Sequence, residues 1–129
     1  PLKRALILGT GGASRAVEYV LDKLQCEAIF VSRTPKDKQL SYAALNKAQI
    51  ERTDLIVNST PLGTFPDIDE YPPIPYQWIN KKHILFDLIY NPEETLFLKK
   101  GKKKGAKVSN GSKMLLYQAE KAWELWNNG

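Results

Sequence analysis

The chain has 129 residues, 19 Lys and Arg against 14 Asp and Glu (formal charge +5), with 43% hydrophobic and 26% charged residues. This is the profile of an ordinary globular domain. A chain of this length buries roughly two-thirds of its unfolded surface without disulfides, and its 3 Trp, 6 Tyr and 4 Phe argue against disorder. No apolar run approaches the ~18 residues of a membrane span, and no basic-then-apolar segment reads as a secretory signal. The single Cys26 has no internal partner, which fits a reducing compartment. Pro1 opens the chain and strand-like sequence begins at once, so a piece of a longer protein is expected.

Elements in chain order alternate between strand and helix. Ala5, Leu6, Ile7 and Leu8 form a continuous apolar run ending at Gly9, as in a strand buried on both faces. Residues 14–24 switch to helical spacing. Ala16, Val17, Val20, Leu21 and Leu24 share one face, and Arg15, Glu18, Asp22 and Lys23 the other. A second strand is predicted at 28–31, a short helix at 40–47 and a third strand at 55–57. Pro61, Gly63, Pro66, Pro72, Pro73 and Pro75 make 61–75 a long loop. A fourth strand follows at 84–86, a helix at 93–104, a fifth strand at 106–108 and a final helix at 111–126. Lys99, Lys100, Lys102, Lys103, Lys104 and Lys107 follow the apolar Leu96, Phe97 and Leu98, as a solvated helix end does. They lack the interleaved Arg and aromatics of a nucleic-acid surface, so neither nucleic acid nor a membrane is an expected partner.

This alternation predicts an α/β fold, a doubly wound and mainly parallel sheet with helices on both faces, three layers in all. Such sheets bind ligands beyond the carboxyl ends of their strands. Small, polar and glycine residues gather there. They are Gly9 to Gly12 after strand one, Ser32 to Thr34 after strand two and Asn58 to Thr60 after strand three. Asp87 and Tyr90 follow strand four, and Ser109 to Gly111 follow strand five.

Gly9-Thr10-Gly11-Gly12-Ala13-Ser14 joins a strand to a helix, the setting of the dinucleotide loop in a Rossmann-like domain. Gly9 permits the tight turn, Gly11 lets the backbone approach a pyrophosphate, and the helix N-terminus favours its charge. Ser14 takes the place of the last glycine, so the pattern is incomplete. A glycine turn can also serve packing alone, but the flanking strand and helix favour nucleotide binding. NAD sites place a carboxylate at the end of the second strand. Ser32 and Arg33 stand there instead. A guanidinium suits the 2′-phosphate of NADP, with Thr34 as a hydroxyl donor and Lys36 and Lys38 adding charge. The plain alternative is an exposed loop arginine.

These residues resemble the cofactor-binding domain of the shikimate dehydrogenase family. Gly9-Thr10-Gly11-Gly12-Ala13 is similar to its G-A/T-G-G-A loop, and Ser32-Arg33-Thr34 to its N-R-T element. Asn58-Ser59-Thr60-Pro61-Leu62-Gly63 resembles N-A/S-T-x-x-G, and Asp87-Leu88-Ile89-Tyr90-Asn91-Pro92 resembles D-x-x-Y-x-P. Asn110-Gly111, Met114-Leu115 and Gln118-Ala119 resemble its closing G-x-x-M-L-x-x-Q-A helix. The order holds over nearly the whole chain. Two departures stand out: Ser32 where the family often has Asn, and Asp37 where it often has Arg. Asp37 removes an expected phosphate contact and adds a like charge, which Lys36 or Lys38 would offset.

The resemblance implies that residues 1–129 form one NAD(P)-binding domain of a cytoplasmic enzyme that reduces 3-dehydroshikimate to shikimate with NADPH. A preceding domain, not represented in this chain, would supply most substrate contacts and a Lys–Asp catalytic pair. Cofactor contacts are expected at Gly9, Thr10, Gly11, Gly12, Ala13, Ser32, Arg33, Thr34, Lys36, Thr60, Leu88 and Gly111. Substrate contacts are expected at Tyr90 and Gln118. No catalytic residue or metal ligand is assigned here, the fragment alone is expected to be inactive, and a homodimer is expected of the complete protein. From spacing alone, Gln118 could equally make a core hydrogen bond among Met114, Leu115, Ala119 and Ala122. Tyr90 could equally pack under the 61–75 loop. His83 precedes strand four at the opposite edge and reads as a surface or packing residue. The competing readings are an NAD-preferring quinate/shikimate dehydrogenase domain and a non-catalytic nucleotide-binding module.

Overall fold

The computed structural model describes residues 2–111. The final predicted helix, with Gln118 and its apolar stripe, lies outside the described residues beyond Gly111. Among the described residues six strands form one sheet: β1 (Arg4–Leu8), β2 (Glu27–Ser32), β3 (Leu40–Ser41), β4 (Leu55–Asn58), β5 (Ile84–Asp87) and β6 (Lys107–Asn110). Their spatial order is β3-β2-β1-β4-β5-β6. Every pairing is parallel, so the sheet expected to be mainly parallel is parallel throughout the described residues. Helix α1 (Gly12–Lys23) lies between β1 and β2, α2 (Lys47–Glu51) precedes β4, and α3 (Leu96–Lys103) precedes β6. No described helix is long and apolar enough to cross a membrane.

Side-chain alternation along the strands builds two cores. Ala5, Ile7, Leu55, Val57, Ile84 and Phe86 meet Val17 and Leu21 of α1 on one face. Leu6, Leu8, Ile56 and Leu85 meet Ile50 of α2 and Phe97 and Leu98 of α3 on the other. Leu6, Ile7 and Leu8 are fully buried, each contributing about 1.5–3 kcal/mol by leaving water. That double burial is why β1 reads as an unbroken apolar run. Gly101 lets α3 close on β5, because a Cβ there would overlap the Leu85 side chain.

Three elements differ from the sequence expectation. Residues 40–47 are not one helix but β3, a 3-10 turn at Tyr42–Ala44, and then α2. Ser41 Oγ accepts from Ala44 N–H at 3.1 Å and Asn46 Oδ1 from Gln49 N–H at 2.9 Å. These two caps divide what periodicity joins. The 93–104 helix begins only at Leu96, after the cap Thr95. The fifth predicted strand is shifted to Lys107–Asn110, because its backbone follows β5 as far as the Asp87 pairing with Asn110.

The amino edge of the sheet is held by buried polar groups. Arg4 Nη2 donates to Gln49 Oε1 at 2.7 Å, tying β1 to α2. His83 is fully buried, so it packs rather than lying on the surface. Its Nδ1 accepts from Asn80 N–H at 3.0 Å, and its Nε2 lies 2.8 Å from Ile50 O. The ring proton therefore sits on Nε2. Burial lowers the His83 pKa, against backbone hydrogen bonds that raise it.

Candidate functional site

The strand order reverses between β1 and β4, the switch point where open α/β sheets bind ligands. Gly9 crosses this point with φ +103° and donates its N–H to Val31 O at 2.9 Å. A Cβ on Gly9 would stand 3.0 Å from Ser59 Oγ and 3.1 Å from Thr60 Cγ2. Gly9 therefore serves both backbone conformation and the close approach of the β1 and β4 loops.

Gly11 caps α1 in extended conformation with no side-chain cap, and no acidic residue stands in the first turn. A Cβ on Gly11 or Gly12 would meet nothing within 4 Å. Those two glycines face open space at a helix N-terminus, as an anion subsite requires. Ser14 explains the incomplete glycine pattern. It is fully buried, and its hydroxyl donates to Gly11 O at 2.5 Å, closing the turn.

A cleft of about 300 Å³ opens at the ends of β2, β1 and β4, lined by Gly9, Val31, Ser32, Arg33, Tyr42, Thr60, Pro61 and Leu62. It brings together four expected cofactor residues: Gly9, Ser32, Arg33 and Thr60. Thr10, Gly11 and Gly12 are exposed on the glycine loop, and Ala13 is half-buried. Thr34, Lys36 and Asp37 are exposed on the 33–39 connection and do not line the cleft. That connection holds no helix and turns on Gln39 N–H to Lys36 O at 2.9 Å. Tyr42 enters the cleft from the 3-10 turn after β3, a position that periodicity hides inside a helix. Burial raises its phenol pKa, while the Arg33 charge lowers it.

The β4 and β5 ends form a closed polar network. Thr60 Oγ1 donates to Asn58 Oδ1 at 2.6 Å, and Asn58 Nδ2 donates to Asp87 Oδ1 at 3.2 Å. Asp87 Oδ1 also accepts from Ile89 N–H at 2.9 Å, and its Oδ2 from Thr95 Oγ1 at 2.6 Å. Asn58 and Asp87 are fully buried and Thr95 is 1% exposed. Burial raises the Asp87 carboxyl pKa, opposed by hydrogen bonds from Thr95, Ile89 and Asn58. Thr95 did have a sequence signal, a hydroxyl residue directly before Leu96-Phe97-Leu98, which marks an N-cap.

This network fixes the turn after β5. Leu88 is half-buried against the α1-side core, and its N–H donates to Asn58 O at 3.1 Å. Gly111 is buried and donates its N–H to Asp87 O at 3.0 Å. Tyr90 is 71% exposed, so it does not pack under the 61–75 loop. That loop instead reaches the turn through its backbone, Phe65 N–H donating to Asn91 O at 2.9 Å.

No protein-family model matches the chain. It is 37% identical, over 96% of its length, to a shikimate dehydrogenase (NADP(+)) of Desulforamulus reducens, of which it covers 49%. To a protein of the same name from Methanococcus maripaludis (strain S2) it is 41% identical, again over 96% of this chain and 49% of the relative. The chain thus spans about half the length of the curated relatives it matches. A crystal structure of shikimate 5-dehydrogenase from Thermus thermophilus, in complex with NADP(H) and shikimate, superposes with a TM-score of 0.72 at 33% identity. That match covers 100% of this chain and 51% of the other. With the glycine turn, the Arg33 cleft and the Asn58–Asp87 network in these positions, and with relatives this similar along almost all of its length, the chain belongs to the shikimate dehydrogenase family.

Proposed function

We propose that the chain is the NADP-binding half of an enzyme that interconverts 3-dehydroshikimate and shikimate. The remaining half would supply the proton donor and most substrate contacts. The observation that carries this reading is the cleft itself, where Ser32 and Arg33 line the position at which an NAD site presents a carboxylate. The names of the relatives, and the NADP(H) and shikimate bound by the Thermus thermophilus enzyme, support the same reaction.

The residues fit the cofactor in three places. Open space over Gly11 and Gly12, at an N-terminus without a side-chain cap, suits the pyrophosphate. A cleft of about 300 Å³ is at the small end of ligand pockets, which run from about 300 to 1,000 Å³, and takes one end of a dinucleotide. Arg33 gives the 2′-phosphate a charge-assisted donor.

When bound, the cofactor supplies the hydride, and the protein binds and orients. The α1 amides and Arg33 would hold its two charged groups, the pyrophosphate and the 2′-phosphate. The Asn58–Asp87–Thr95 network fixes the turn carrying Leu88, which would lie beside the reacting end, and Tyr90, which would meet substrate. Both Asp87 oxygens are engaged by donors within the fold, so this carboxylate acts as scaffold and not as acid or base. A cytoplasmic setting goes with the reading. Cys26 is a free, buried cysteine whose pKa burial raises to about 11, which keeps it a thiol.

Calorimetric titration tests the proposal. NADPH should bind more tightly than NADH, and the complete protein should oxidise shikimate with NADP+ while the chain alone does not. Tighter binding of NADH, or turnover by the chain alone, would overturn it.

A further inference from the structure

Ser41 pairs in register with Ser32. The next residues, Tyr42 and Arg33, therefore leave the same edge of neighbouring strands, whose backbones run about 4.8 Å apart. Both line the cleft, and no residue of 34–39 does. Tyr42 is half-buried and packs against the core that contains Val31, Leu45 and Ile56. The 3-10 turn that carries it is capped by Ser41 Oγ, which accepts from Ala44 N–H at 3.1 Å. Tyr42 and Arg33 thus border one cleft, and the Arg33 charge acts on the Tyr42 phenol.

We propose that Tyr42 is a second reader of the cofactor's 2′-phosphate, its hydroxyl donating to the phosphate that Arg33 also holds while its ring walls the adenosine. The inference rests on the NADP reading above and adds a specificity residue to it. A phenol on a ring already fixed by packing has little rotamer freedom left to lose, whereas a lysine on an exposed turn must be ordered on binding. This accounts for the departure at position 37. Asp37 is exposed on the turn and outside the cleft, so the phosphate end is read by Arg33 and Tyr42 rather than by residues 34–39.

The test is calorimetry on the chain with NADP+, NAD+ and 2′,5′-ADP, a probe that carries the 2′-phosphate without nicotinamide. Circular dichroism checks that each variant is folded. Tyr42→Phe keeps the ring and should weaken NADP+ and 2′,5′-ADP on the order of tenfold, leaving NAD+ within about twofold. Tyr42→Ala removes the wall as well and should weaken all three. If Tyr42→Phe binds NADP+ as wild type does, or loses NADP+ and NAD+ equally, the hydroxyl does not read the phosphate and the inference falls alone. If wild type binds neither NADP+ nor 2′,5′-ADP, or prefers NAD+, the NADP reading falls and takes this inference with it.

Discussion

The two halves of the carboxyl edge are built in opposite ways. At the β4 and β5 ends, Asn58, Asp87 and Thr95 are buried and satisfy one another. At the β1 and β2 ends, Thr10, Gly11, Gly12, Arg33 and Thr34 are exposed, and the α1 N-terminus carries no side-chain cap. A buried polar group must find partners within the protein, while an exposed one can wait for a ligand. The closed half is thus scaffold, and the open half is completed by what binds. Substitutions in the first should register in stability, and in the second in affinity.

The largest effect belongs to Asp87→Ala. It strips the acceptor from Thr95 Oγ1, Ile89 N–H and Asn58 Nδ2, and buried groups left unpaired cost about 1–3 kcal/mol each. Urea unfolding should show a loss of about 3–5 kcal/mol, and a loss under about 1 kcal/mol would mean the closed half is not scaffold. The glycines give a contrast within one loop. Gly9→Ala combines positive φ with a Cβ 3.0 Å from Ser59 Oγ and should cost about 1–3 kcal/mol of stability. Gly11→Val meets open space, so its melting point should stay near wild type while NADPH binding is lost. If Gly11→Val melts far below wild type, or stays folded and binds, the open half has been misassigned.

Arg33→Ala should leave stability within about 0.5 kcal/mol and weaken NADP(H) on the order of tenfold or more, with NAD(H) nearly unchanged. An equal loss for both cofactors in titration would show that Arg33 does not read the 2′-phosphate. The smallest effect lies at the amino edge. The fold keeps His83 neutral, with a pKa below the ordinary imidazole value of about 6.5. Its contribution is complete above about pH 6.5 and is lost as pH falls toward the lowered folded value, because the unfolded chain takes up the proton first. The stability advantage of wild type over His83→Gln should therefore shrink between pH 7 and pH 5. A constant advantage would mean that His83 takes up its proton equally in the folded and unfolded chain, so that folding does not lower its pKa.

Legibility followed the same division. Strands buried on both faces announce themselves as apolar runs, so β1, β2, β4 and β5 were readable, as was the glycine loop between β1 and α1. β3 was not. A two-residue strand has no periodicity and exists through its pairing with Val31 and Ser32. Tyr42 was hidden for the same reason, its place in the cleft depending on a connection too short for the usual crossover helix. Asp87 and Asn58 were visible as strand-end residues, but which groups they bond depends on the register between β4 and β5, where Asn58 faces Asp87.

The central place of β1 has a consequence for how the molecule exchanges its amide hydrogens. β1 is paired on both sides, by β2 and by β4, and Ala5, Leu6, Ile7 and Leu8 are fully buried. Their amides should exchange only through global opening, while those of 33–39, on an exposed turn, exchange through local fluctuation. Because the glycine loop springs directly from β1, one end of the binding edge is anchored in a slowly exchanging strand and the other in a rapidly exchanging turn. Ligand-induced protection should therefore appear first and most strongly at Arg33, where the chain leaves β2 at the cleft, with the β1 amides reporting only the total gain in folding free energy.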